Sequence, residues 1–208
     1  MALDTYAALK TTVINFSGRD NLSDNMDDFI LLAEEAMFNN ESKPLRLRSM
    51  ETTVELSTVA GVRTLALPAG YLEARSANIE AGGGEFSLRL YGASALPTVT
   101  GSGIPKAFTV KDTIEFDRTP DAVYIINFSY YAKPTPLSSA NPTNTILTNN
   151  PSIYLSGCLS FVNQFTGELD TAEGYLNNML RAIRGAIKAD KSGRRTPGAQ
   201  ARVSGSRP

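Results

Sequence analysis

The chain has 208 residues, 42% of them hydrophobic, a formal net charge of -1, a single cysteine and no histidine. That length and composition suit one domain, or a compact unit with a second layer inserted in it, and no run is long or apolar enough to cross a membrane. The lone Cys158 excludes an internal disulfide and any cysteine-rich metal site, and the lack of histidine removes Ser-His-Asp and Cys-His nucleophile activation and histidine zinc sites together.

Met1 to Asp4 offers neither a basic segment nor an apolar secretory stretch, so a cytosol-like compartment is expected. Asp4 is placed to cap a first helix reaching about Phe16, with Leu9, Val13 and Phe16 gathered on one side, and Gly18 interrupts it. Ser23 or Asp24 caps a second, whose buried stripe is Met26, Phe29, Ile30, Ala33 and Met37, with Glu34 and Glu35 toward its wetter side. After Pro44 the pattern alternates. Met50, Thr52, Val54 and Leu56 share one face of a strand, and further strands are expected at Arg63 to Leu67, Glu85 to Tyr91, Lys106 to Val110, Thr113 to Phe116 and Ala122 to Tyr131.

A Pro/Asn/Ser/Thr-rich connection runs from Lys133 to Asn150. Asn150-Pro151 then fits the cap and first residue of a third helix with Ile153, Leu155, Cys158, Leu159 and Val162 inward. Thr166-Gly167 breaks it before a fourth, whose inward positions are Leu169, Ala172, Leu176, Met179, Leu180, Ile183 and Ile187. Short helices need tertiary burial to persist, so the two terminal pairs pack together. The expected fold is α+β: a helical bundle from residues 1–43 and 151–188, an inserted antiparallel β-rich domain over 44–132, the connection 133–150, and an extended basic arm over 189–208. Its packing core is Phe29, Ile30, Leu155, Cys158, Leu159, Leu176, Leu180 and Ile183.

Candidate chemical sites reduce to structural readings. Asp27-Asp28 lie where acids favour a helix start, and neither they nor Glu34-Glu35 demonstrate the two convergent carboxylates of a glycosidase. Gly82-Gly83-Gly84 lacks the spacing of the nucleotide-binding loops and precedes a strand, which makes it a hairpin tip; Gly101-Ser102-Gly103 reads as a connection. Tyr124, Ile126, Phe128 and Tyr130 form one packed β face, since no basic residue accompanies them as a nucleic-acid surface would require. Cys158 on an apolar helix face is a buried thiol. Asn-X-Ser triplets at Asn15, Asn40 and Asn127 have no export signal to bring them to a glycosylating enzyme. No catalytic, cofactor-binding or metal-ligating residue is expected.

The C-terminus differs from all of these. Lys188, Lys191, Arg194, Arg195, Arg202 and Arg207 face the single acid Asp190, a net +5 that leaves the remaining body at -6. With almost no apolar side chain, this segment needs a partner's surface or solvent. It suits an acidic groove of another protein, with DNA contact or solubility as the alternatives.

Several stretches resemble the tailed-bacteriophage head-to-tail adaptor family, also called connector or tail accessory proteins. Leu3-Asp4-Thr5-Tyr6-Ala7-Ala8-Leu9-Lys10 and Asp28 to Glu35 are similar to the family's opening helices. The more specific match is Tyr130-Tyr131-Ala132-Lys133-Pro134-Thr135-Pro136-Leu137-Ser138, then Asn141 to Asn144 and Leu147 to Leu159. The resemblance implies a non-enzymatic virion protein at the capsid-tail junction, assembled in the host cytoplasm. It implies a homo-oligomeric, dodecameric ring beneath the portal protein that meets the tail nozzle or next tail component, and through which DNA passes without sequence-specific binding. It also implies that the C-terminal arm reaches the portal, making Lys188, Lys191, Arg194, Arg195, Arg202 and Arg207 its interface. A carboxylate-dependent cell-wall hydrolase and a glycan- or DNA-binding virion module remain as alternatives.

Overall fold

A computed structural model describes residues 3–40 and 44–194. Helix α1 (Tyr6–Ser17) starts where the Thr5 hydroxyl accepts from the Ala8 amide, one residue later than Asp4 would set it, and ends at Gly18, whose φ of 63° closes the last turn. A 3-10 turn over Asp20–Asn25 leads into α2 (Met26–Asn39). Two helices follow the β region: the short α3 (Thr145–Asn149) and then α4 (Pro151–Phe165), with Pro151 in its first turn. The last, α5 (Leu169–Arg194), runs for 26 residues. The stretch read as a connection thus contains a helix, started by Asn144, whose side-chain oxygen accepts from the Ile146 and Leu147 amides at 3.1 and 2.9 Å.

Helix α4 is the hub, with α1, α2 and α5 packed on it. Gly157 is the point of closest approach. A Cβ there would lie 2.9 Å from the Met179 sulfur of α5 and 3.0 Å from the Ala33 methyl of α2, so any side chain would wedge the three helices apart. Met26, Phe29, Ile30, Ala33, Met37, Ile153, Cys158, Leu159, Met179, Ile183 and Ile187 are buried in this helical core, while Leu155, Leu176 and Leu180 are half-buried at its edge. Phe16 and Leu169, expected inward, are 64% and 66% exposed. Each sits in the terminal turn of its helix, beyond the reach of the hub.

The β layer is one seven-stranded sheet in the order β1-β7-β3-β4-β5-β6-β2, built from β1 (Glu51–Ser57), β2 (Thr64–Ala66), β3 (Tyr71–Ala81), β4 (Gly84–Leu90), β5 (Ala107–Val110), β6 (Thr113–Phe116) and β7 (Ile125–Ala132). The expectation of a purely antiparallel layer is corrected by β4 and β5, which pair in parallel at Arg89–Ala107 and Leu90–Phe108. Consecutive strands β1 and β2 occupy opposite edges. Flat, seven strands would hold those edges about 29 Å apart, whereas the link from Ser57 to Thr64 reaches about 25 Å at most, so the sheet has to curl. Inside the curl lie Ala77, Ile79, Leu88, Phe108, Ile114, Phe116, Ile126, Phe128 and Tyr130, a second core. Gly82 and Gly83, both at positive φ, form the two-residue turn between β3 and β4.

The two layers are joined at the end of β7. Side chains alternate along a strand, so Tyr130 enters the β core while Tyr131 enters the helical core. Arg75 of β3 lies over the Tyr131 ring at 5.4 Å and pairs with Glu51, and Arg46 pairs with Glu73 across the same seam.

Candidate assembly surfaces

Of the acids singled out in the sequence, none converge on a cleft. Asp27 accepts from Tyr6 and from Lys10, whose ammonium stands at 2.8 Å and holds the carboxyl below its usual range. Burial, together with that carboxylate, pushes the Tyr6 hydroxyl up to about 12. Asp28 and Glu35 are exposed on the outer face of α2. Glu34, read as facing water, points into the core instead and is 2% exposed. A helix that packs on a hub buries a wider arc than the apolar stripe alone marks, and Glu34 falls inside that arc.

Glu34 is affordable there because its oxygen is fully engaged. Oε1 accepts from the Leu137 amide and from the Tyr154 hydroxyl, both at 2.9 Å, and Tyr154 in turn accepts from Asn144 Nδ2 at 2.7 Å. Desolvation dominates over these donors and raises the carboxyl above its ordinary value, and burial raises the Tyr154 hydroxyl likewise. The result is a latch. It binds the chain after β7 onto α2 and α4, with the Tyr6 amide donating to Pro142 O at 2.7 Å and the Lys133 amide to Gly70 O at 2.7 Å at either end. No buried side-chain polar atom among the described residues lacks a partner.

Cys158 is completely buried and its thiol is pushed well above the usual range by that burial, which keeps it from acting as a nucleophile. Tyr71, Phe128 and Tyr130 stack with ring centroids 5.6 to 6.1 Å apart inside the curl. Glycan recognition by this face needs Tyr124 or Tyr130 exposed, since a sugar stacks only on an accessible ring. Tyr130 is buried, and Tyr124 is half-buried with its hydroxyl donating to Asp121. Among the described residues no group of three or more Asp, Glu, Cys or His side chains could hold a metal ion, and no helix is long and apolar enough to cross a membrane.

What the described surface offers is two helical faces. On α2, Asp28, Leu31, Leu32 and Glu35 are all exposed. On α5, Arg181, Arg184, Lys188 and Lys191 are exposed at intervals of three, four and three, which aligns them along one face. The extended arm expected over 189–208 is corrected in its first part, because the helix that carries Lys188 continues through Lys191 to Arg194. Asp190 on its inner side accepts from the Arg48 amide at 3.3 Å and fixes these last turns beside the entrance to β1. Arg195, Arg202 and Arg207 lie outside the described residues. Reasoning from the sequence missed Arg181 and Arg184, although their spacing to Lys188 marks the stripe.

A family model described as SU10 adaptor protein matches residues 4–203, from the first helix through the β layer into the basic C-terminus. The chain belongs to the SU10 adaptor family. It is thereby a head-to-tail adaptor of a tailed phage, a protein of the capsid-tail junction with partners on the portal and tail sides. No curated protein matches the adaptor chain.

Proposed function

We propose that the adaptor assembles as a ring, of twelve copies, between portal and tail, where it extends the DNA channel and is anchored to the portal by its basic C-terminal segment. The observation that carries the anchoring is the course of α5. Among the described residues its last buried side chain is Ile187, yet the helix continues for about two further turns to Arg194, and the sequence after it carries Arg195, Arg202 and Arg207. Arginines on a segment with almost no apolar residues suit bidentate contacts with carboxylates on a preformed protein surface. Ring symmetry repeats a modest contact at every subunit, so a weak arm holds through avidity. The net -6 of the remaining body favours a conduit that DNA does not adhere to, because phosphate repels acidic walls.

Truncation after Arg194 preserves the whole of α5 and tests the anchor. Retention of the adaptor on purified portal, measured by co-sedimentation, is expected to be lost with the segment. Retention equal to that of the full chain overturns the anchoring, and salt-sensitive binding of random DNA by the full chain alone would favour a DNA-binding arm instead.

A further inference from the structure

We infer that the ring contact is made by the acidic outer face of α2 in one copy meeting the basic outer face of α5 in the next. This rests on the ring reading above and assigns the surfaces that build it. Asp28 and Glu35 lie seven residues apart on α2, and Arg181 and Lys188 lie seven apart on α5, so both charge pairs span about 10 Å of helix. All four are exposed, and among the described residues none has an ion-pair or hydrogen-bond partner in its own chain. Arg184 and Lys191 extend the basic stripe by the same step. The match in sign and span is what selects a second copy as the occupant.

The faces also complement each other in shape. Leu31 and Leu32 stand 55% and 40% exposed between the acids of α2, and Leu32 borders a shallow groove with Ala36 and Phe161. On α5 the outer face holds Gly185 between Arg181 and Lys188, with nothing within 4 Å of where a Cβ would be. Glycine weakens an exposed helix, and nothing among the described residues requires it there. A neighbour's leucines approaching the α5 backbone supply the requirement. Because α2 and α5 present different surfaces of the same protomer, their contact is head-to-tail, the type that closes into rings.

The test uses two full-length double variants, R181E with K188E and D28K with E35K, on exposed positions where circular dichroism should stay unchanged. Each alone places like charges across the contact, and assembly measured by sedimentation velocity, alone and on purified portal, is expected to need a concentration roughly a hundredfold or more higher. Mixed in equal amounts and alternating around the ring, the two variants regain opposite charges at every contact, and association is expected to return. Variants that assemble as the unmodified chain does would overturn this contact and leave the ring intact, as would a mixture that stays dissociated. An unmodified chain that remains monomeric both alone and on the portal would remove the ring and this contact together.

Discussion

The helical layer and the β layer solve burial differently. The helical core is assembled from both ends of the chain, and it keeps a carboxylate, Glu34, inside it with two hydrogen-bond donors. The β core is drawn from one continuous stretch and is filled with aliphatic and aromatic side chains around the Tyr71, Phe128 and Tyr130 stack. In the first, position depends on directed polar contacts; in the second, on volume. The difference teaches where each layer is vulnerable: loss of a partner in one, loss of bulk in the other.

The largest effect belongs to bulk. Phe128→Ala is expected to cost about 3–5 kcal/mol, since it removes a completely buried ring from the centre of the aromatic cluster. Because Tyr130 and Tyr131 tie β7 into both cores, denaturant unfolding followed by helical circular dichroism and by tyrosine fluorescence should still show one coincident transition. Helices that outlast the sheet in this variant would mean that the layers are separate cooperative units.

Breaking the polar latch comes second. Glu34→Ala leaves the Leu137 amide and the Tyr154 hydroxyl without their acceptor, and about 2–4 kcal/mol of stability should be lost, at about 1–3 kcal/mol for each orphaned donor less the desolvation cost that the removed carboxyl no longer bears. A loss below about 1 kcal/mol in urea titration would show that the connection after β7 holds without it.

The smallest effect is a slope. The folded carboxyl of Glu34 sits above its unfolded value, so between those two values the folded protein binds the extra proton and stability falls as pH rises. Its contribution is fully present below the unfolded value near 4.5 and lost above the folded one, with a slope of at most about 1.4 kcal/mol per pH unit for one proton. Glu34→Gln keeps an acceptor for both donors and should remove that slope. Depressed carboxyls such as Asp27 and Glu115 act with the opposite sign, but the substitution leaves them untouched, so they cancel in the comparison. An unchanged pH profile in the glutamine variant would assign the slope elsewhere.

Periodicity made the long helices legible, because a stripe recurring every three or four residues has one geometric explanation. Met26, Phe29, Ile30, Ala33 and Met37 are all buried as that stripe requires. It failed at β3, the longest strand, which was not expected at all. Tyr71–Ala81 contains alanines, glutamates and an arginine, and its inward residues Tyr71, Ala74, Ala77 and Ile79 fall at intervals of three, three and two, because two register shifts against β7 interrupt the alternation. That information lies in other strands, not in β3.

The same division holds for function. Chain chemistry alone excluded histidine-based catalysis, located two helical ends around a β insertion, and marked the basic C-terminus, since these follow from which side chains exist and how they recur locally. Only tertiary structure turned Glu34 inward, curled the sheet and carried Lys188 and Lys191 onto the same rigid face as Arg181 and Arg184. Which side of a helix is covered, and by what, is set by contacts between residues distant in sequence. No local pattern records them.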